Sequence, residues 1–150
     1  MDTLTKILIS SHSGWRWIVL LLLIAAVVKM HLGWKGKKVF SKGDKKLGLF
    51  TMVAFHLQFL FGWILFFLSP KVSFSEGMMS NTLHRFFSIE HSLMMTLAMI
   101  FITIGYSKSK KKNNDTDKFK SLAVFYTIAL FIILVAIPWP FRTALGAGWF

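Results

Sequence analysis

Four long apolar stretches, each nearly free of charge, limit what this chain can fold into. They cover about residues 15–32, 47–68, 83–106 and 119–137. A helix rises about 1.5 Å per residue and the hydrocarbon core of a bilayer is about 30 Å thick, so each stretch is long enough to cross a membrane. The pattern therefore predicts an all-α membrane protein with four transmembrane helices.

The composition argues against a soluble protein, including a nucleic-acid-binding one. The chain has 150 residues, of which 55% are hydrophobic, and a soluble domain of this size cannot bury that much apolar surface. The formal net charge of +12 is a feature that nucleic-acid-binding proteins share. The lysines, however, concentrate in two short connections and are not spread over one folded face. We expect a lipid bilayer as the partner and no nucleic acid.

The distribution of lysines predicts the topology. Residues 33–46 and 107–121 each contain six lysines, whereas the middle connection has only Lys71, which Glu76 partly offsets. Positively charged loops stay in the cytoplasm, so both lysine-rich loops should be cytoplasmic and both termini outside. The short connections predict one domain, residues 1–150, built as an up-down antiparallel bundle. The tail 138–150 is too short to span and should lie at the outer interface.

The chain contains no cysteine, which restricts the chemistry that it can perform. Disulfides, iron–sulfur clusters held by thiolates, covalent haem attachment and cysteine nucleophiles are excluded. The sequence also lacks a phosphate-binding loop, a nucleophile elbow and a zincin motif. An enzymatic role is uncertain and would be a redox step on a lipid-soluble quinone. Any cofactor must be held by other side chains or by the backbone.

Ionisable side chains within apolar spans are costly, and they are the candidates for function. His12 and Arg16 lie one helical turn apart near the start of the first span, where they could also serve as an interfacial anchor. His56 lies near the middle of the second span, close to Gln58, and could be a polar contact between helices. A third group combines three residues, Arg85, Glu90 and His91.

Glu90 is the one carboxylate within a predicted span, and several roles are open to it. It could pair with Arg85 or Arg16, orient a histidine, accept a proton or stay protonated. An Arg85–Glu90 pair could also simply fix the helix register. His84, Ser88, His91 and Met95 have a spacing that predicts one stripe on a helix. His31 is treated as structural, and Arg142 as interfacial.

The two mid-membrane histidines suggest a haem site. On straight-helix arithmetic, His56 and His91 should lie at similar depths on facing helices, as the two axial ligands of a b-type haem do. His12 is the alternative ligand, and Arg16 and Arg85 are candidates to bind the haem propionates. Glu90 and Gln58 would lie next to the ligands, where they would orient them or accept a proton. A quinone or a first-row metal ion held by histidine and Glu90 remains open.

Several segments also resemble a known family of small bacterial four-helix inner-membrane proteins that are commonly labelled cytochrome b-like. They are HSGWRWIVLLLL (12–23), KGDKKLGLFTMVAFHLQFLFGWILFFLSP (42–70), RFFSIEHSLMM (85–95), SKSKKK (107–112) and AIPWPFR (136–142). The resemblance covers nearly the whole chain. It implies membrane redox chemistry in a respiratory chain of the bacterial inner membrane. The site residues within these segments are His12, Arg16, His56, Gln58, Arg85, Glu90 and His91.

The leading prediction is therefore a b-haem-type membrane protein in electron transfer, linked to a quinone and part of a larger assembly of membrane subunits. One alternative is a cofactor-free accessory subunit, in which the polar residues specify helix packing. A second alternative is a small proton or solute transport protein with a relay through His12, Glu90 and His91.

Overall fold

The computed structural model describes residues 3–149, and within this range all regular secondary structure is helical. A π-helical turn at Phe86–Glu90 joins the short helix Thr82–Arg85 to the helix His91–Lys110, so that Thr82–Lys110 forms one continuous span. Two short 3-10 turns lie at Met78–Ser80 and Thr143–Leu145. The α-helices are α1 (Thr3–Lys35), α2 (Lys42–Leu68), α3 (Thr82–Arg85), α4 (His91–Lys110) and α5 (Asp115–Ala136).

Four spans in the described range are long and apolar enough to cross a membrane, which makes this a multi-pass membrane protein. They pack as a bundle in which α1 contacts α2 and α5, and α4 contacts the same two helices. The helices contain the predicted spans, except that Ile137 lies one residue beyond α5. Phe150, the last residue of the predicted tail, lies outside the described residues.

Local sequence signals explain where the helices begin and end. The Ser41 hydroxyl accepts a hydrogen bond from the Asp44 amide, and the Asp44 carboxylate accepts one from the Ser41 amide, which forms a capping box at the start of α2. The Asn114 side chain caps α5 through the Asp117 amide at 2.7 Å. Helices α2 and α5 each end just before a proline, Pro70 and Pro138 respectively.

The two ends of the bundle differ in packing. One end, here called the lysine end, carries the connections 36–41 and 111–114, and the opposite end is called the terminal end. Near the lysine end, Gly33 lies directly beneath the Phe119 ring, and the Tyr126 hydroxyl donates to the Gly48 carbonyl at 2.7 Å. Met30, Ile102 and Leu122 are fully buried and add to this packing. The larger of two cavities lies at the terminal end and the smaller at the lysine end.

The outer surface of the spans is apolar. Leu21, Phe67 and Phe131 are about 70% exposed, and each lies on a different helix. A water-soluble protein would not expose so many large apolar side chains, whereas lipid tails solvate them at no cost. This surface therefore contacts the bilayer.

Candidate functional site

A cavity of about 460 Å³ lies between all four spans at the terminal end. The tail after α5 and the segment that follows α2 contribute to its wall. Most of the lining is aliphatic or aromatic, and no carboxylate is part of it. An apolar cavity of this size with a few polar groups is the usual form of a site for a small molecule or cofactor. Its charged and strongly polar lining residues are His12, Arg16, Gln58, Lys71 and His91.

Two imidazoles lie close together in this cavity. The ring centroids of His12, on α1, and His91, on α4, are 6.5 Å apart, and the rings are inclined at 76°. His91 donates from Nδ1 to the Ala136 carbonyl at 2.8 Å, whereas no hydrogen bond from the described residues reaches its Nε2. The lone pair of Nε2 is therefore free to bind a ligand.

Three buried polar atoms around the cavity have no hydrogen-bond partner among the described residues. They are His12 Nδ1, Arg16 Nε and Gln58 Oε1. Nearly all buried polar groups in folded proteins are satisfied, because each unpaired group costs about 1–3 kcal/mol. Three unpaired atoms around one cavity indicate that a ligand or water completes this site.

The position of His12 is fixed by α2. The Gln58 amide donates to the His12 carbonyl at 2.9 Å, and the Trp15 indole donates to the Ala54 carbonyl at 3.1 Å. A Cβ atom at Gly62 would lie 3.2 Å from His12 Cε1. The absence of a side chain at Gly62 therefore makes room for the imidazole.

The π-helical turn positions His91. This turn contains one residue more than an α-helical turn, so the regular spacing that predicts a single stripe is interrupted just before His91. The Ser88 hydroxyl donates to the Ser73 carbonyl and lies outside the cavity lining, whereas His91 and Met95 are part of it. π-turns of this kind occur frequently at functional sites.

The same turn brings Arg85 and Glu90 together. Arg85 Nε donates to Glu90 Oε1 at 2.8 Å, and its Nη1 donates to the Met79 carbonyl. Residues five apart point in different directions on an α-helix, but a π-turn aligns them. Of the partners considered for Glu90, the structure shows Arg85. Neither side chain lines the cavity.

The C-terminal tail forms the roof of the cavity. Arg16 and the Trp17 indole both donate to the Trp149 carbonyl, at 2.9 and 3.0 Å. Lys71 donates to the Gly146 carbonyl at 2.9 Å, and its ammonium lies 5.0 Å from the centroid of the Phe87 ring. Burial lowers the pKa of the Lys71 ammonium from its ordinary value. Two cations thus hold the roof through backbone carbonyls.

The structure does not bring His56 next to His91. His56 donates from Nδ1 to the Met52 carbonyl, and its Nε2 hydrogen-bonds the Thr103 hydroxyl at 3.2 Å. Thr103 and His91 are twelve residues apart, which is about 18 Å along a helix. Similar depth along two straight helices does not make two side chains meet, because each side chain also points in its own direction around its helix. The structure thus pairs His91 with His12, the alternative ligand.

The remaining candidates lie outside the cavity lining. His31 bonds the Val27 carbonyl near the lysine end, and His84 bonds the Lys71 carbonyl. Arg142 lies over the Phe86 ring, 4.7 Å from its centroid. Within residues 3–149, no group of three or more His, Asp or Glu residues is arranged to hold a metal ion.

Sequence reasoning treated Lys71 only as an outer charge and did not include the tail in the site. The short tail has no apolar periodicity that would place it over the bundle. Its aromatic residues and glycines suggested an interfacial segment and nothing more specific. A signal was nonetheless present, because Lys71 has few neighbouring acidic residues to neutralise it.

Comparison with known proteins finds no family model, no curated protein and no solved structure that matches this chain. The fold and site define a small four-helix, multi-pass membrane protein with a buried two-histidine cavity. The resemblance to the cytochrome b-like family stays a prediction.

Proposed function

We propose that this protein binds a b-type haem in the cavity, where His12 and His91 would hold the iron, and takes part in membrane electron transfer. The observation that carries the proposal is the pair of neighbouring imidazoles, whose ring centroids are 6.5 Å apart. Two imidazoles that bind one metal ion, with metal–nitrogen bonds of about 2.0–2.1 Å, have ring centres roughly 6 Å apart. The two histidines therefore lie close enough together to bind one iron.

The charges and the apolar walls of the cavity suit the propionates and the porphyrin of a haem. Haem carries two propionates, and the lining offers the cations Arg16 and Lys71 with no carboxylate to oppose them. The Arg16 Nε is buried without a partner and is available to an anionic oxygen. Apolar and aromatic residues, among them Phe59 and Phe87, supply the walls that a porphyrin needs. Arg85, which is paired with Glu90, is the weaker candidate for a propionate.

The chain itself would tune the site through its hydrogen bonds. Ala136 fixes the tautomer of His91 and makes Nε2 the ligating nitrogen, as carbonyl partners do for metal-bound histidines. Gln58 holds α1 at the level of His12 through the backbone. A bound haem supplies reversible one-electron transfer, with a potential set by its axial ligands and by burial. A lipid-soluble quinone is a suitable redox partner, because it reaches the bundle from the bilayer.

We place the lysine end in the cytoplasm of a bacterial inner membrane. The support is the concentration of lysines in the connections at that end, according to the positive-inside rule. The haem would then lie towards the outer leaflet. The apolar outer surface offers contact area for further membrane subunits, so membership in a larger respiratory assembly is part of the proposal.

An absorption spectrum of detergent-purified protein, oxidised and then reduced, tests this function together with a pyridine haemochrome assay. We expect a Soret band and sharp α and β bands on reduction. His12→Ala and His91→Ala should each lose most of the haem while still inserting in the membrane. The matched control is His31→Ala, which removes an imidazole near the opposite end and should retain full haem content.

A colourless protein from cells supplied with haem would refute the proposal. The unpaired Arg16 Nε and His12 Nδ1 then favour a second candidate, a quinone, whose carbonyl oxygens can accept hydrogen bonds from the guanidinium and from a protonated imidazole nitrogen. Extraction of the purified protein with organic solvent would detect it. If neither cofactor is present, the accessory subunit or the transport protein becomes the better explanation.

A further inference from the structure

A second cavity, of about 360 Å³, lies at the lysine end, far from the two histidines. Three chain segments meet there: the start of α2, the last turn of α4 and the first turns of α5. We call it the basic pocket. Its lining residues are Phe40, Ser41, Lys42, Lys45, Tyr106, Ser109, Lys110 and Lys118.

The positive charge of the basic pocket is largely unneutralised. Of its four lysines, Lys118 has an ion pair, with Asp115 at 3.0 Å. The other three have no ion pair within the described residues. Asp44 is nearby in sequence, but Lys29 and Ser41 occupy its carboxylate. An anionic group that enters the pocket would therefore find several free ammonium groups.

Two of these lysines stand where an isolated helix would disfavour them. Lys42 and Lys45 lie in the first turn of α2, whose N-terminus carries the positive end of the helix dipole. Lysine at that position opposes the dipole, whereas a bound anion is favoured by both the dipole and the ammonium groups. Residues that break a local preference are common at functional sites.

Aromatic rings hold two lysines of the basic pocket in place. Lys118 and Lys110 lie 5.9 and 5.4 Å from the ring centroids of Phe40 and Tyr106. Contacts with ring faces order long lysine side chains without neutralising them. The Lys110 ammonium, which has no ion pair within the described residues, thus stays available for a phosphate. Ser41 and Ser109 also line the wall, but their hydroxyls already donate to the Asp44 carboxylate and to the Lys118 carbonyl.

We propose that the basic pocket binds the phosphate headgroup of an anionic membrane lipid, such as a phosphatidylglycerol. The location favours a lipid over a free phosphate, because the pocket opens at the end of the spans. Exposed apolar residues follow within a few turns on two of its helices: Phe50 and Val53 on α2, and Ile104 and Ile100 on α4. These surfaces are where acyl chains would lie, and basic pockets between spans are known to bind such headgroups. The proposal is independent of haem binding.

The test compares thermal unfolding of the detergent-purified full chain with short-chain phosphatidylglycerol, with phosphatidylcholine, and with inorganic phosphate at matched ionic strength. A ligand that binds only the folded state raises the unfolding temperature. We expect a rise with phosphatidylglycerol and none with the other two probes. The variant Lys42→Gln/Lys45→Gln should bind phosphatidylglycerol more weakly, by roughly fivefold per lysine.

The matched control is Lys111→Gln/Lys112→Gln, which removes the same charge from the exposed connection after α4. It should keep the rise in unfolding temperature. The pocket variant should still fold, because removing lysines from the start of α2 relieves the dipole. Equal loss in both variants would show general attraction to charge and refute the site. An equal response to inorganic phosphate, or an equal response to phosphatidylcholine, would refute the lipid headgroup as the ligand.

Discussion

His91 donates its Nδ1 proton to the carbonyl oxygen of Ala136, the last residue of α5, across 2.8 Å. A carbonyl in the last turn of a helix has no partner within that helix, so it is free to accept this proton. The bond joins α4 to α5 and leaves Nε2 of the imidazole without a hydrogen-bond partner among the described residues. The end of one helix thus orients the candidate ligand on another.

The close approach of Gly62 to His12 yields the first prediction. A Cβ atom at Gly62 would lie 3.2 Å from His12 Cε1, so Gly62→Val should push the imidazole out of position. Haem content should fall several-fold, because ligand geometry tolerates displacements of only about 0.5 Å. Gly14→Val is the control, since nothing lies within 4 Å of its Cβ position. Equal haem content in both variants would contradict the assignment of His12.

His56 yields a prediction that separates the two possible ligand pairs. Its imidazole contacts Met52 and Thr103 and does not line the cavity, so His56→Ala should keep the Soret band. The loss of its contact with Thr103 should cost about 0.6 kcal/mol, as interhelical hydrogen bonds in membranes do on average. Thr103→Val should have a similar effect on the unfolding temperature. Loss of haem in His56→Ala would show instead that His56 and His91 are the two ligands.

Substitution of Glu90 tests whether this carboxylate, which lies within the third span, affects the groups in the cavity. Glu90 forms a half-exposed ion pair with Arg85, with the two side chains 40% and 35% exposed. We expect Glu90→Gln to weaken the link to Arg85, because a neutral amide replaces the carboxylate of the ion pair, and to leave the cavity unchanged, since neither side chain lines it. Its visible spectrum and its reduction potential should match those of the unaltered protein. A marked shift in potential would show that Glu90 acts on the haem ligands after all.

The contact of Gly33 with Phe119 yields a prediction about stability alone. A methyl group at Gly33 would overlap the Phe119 ring, so Gly33→Ala should separate α1 from α5 near the lysine end. Overpacking of this kind costs about 1–3 kcal/mol. Thermal unfolding in detergent measures it, with Gly14→Ala as the control that should lose nothing. Haem content should be unaffected in whatever fraction of Gly33→Ala remains folded.

The sequence predicted the bundle well because the length and apolarity of a span depend on local composition alone. Four spans and their packing as a bundle are confirmed. Which histidines lie close together was harder to predict, since this depends on the direction of each side chain and on the tilt of each helix. The extra residue in Phe86–Glu90 could not be recognised either, because a π-turn has no composition of its own.

The last prediction concerns the roof of the cavity. The Trp149 carbonyl accepts hydrogen bonds from Arg16 and Trp17, so a chain that ends at Gly146 should open the cavity to water. In haem-free protein, we expect His12 to react with diethylpyrocarbonate roughly tenfold faster in the truncated chain than in the full chain, since local opening controls such access. His31, near the opposite end, is the internal reference and should react at an unchanged rate. Phe141→Ala alters an exposed tail residue outside the cavity lining and serves as the control variant. Unchanged reactivity of His12 after truncation would show that water and ligands reach the cavity from the bilayer side and not through the tail.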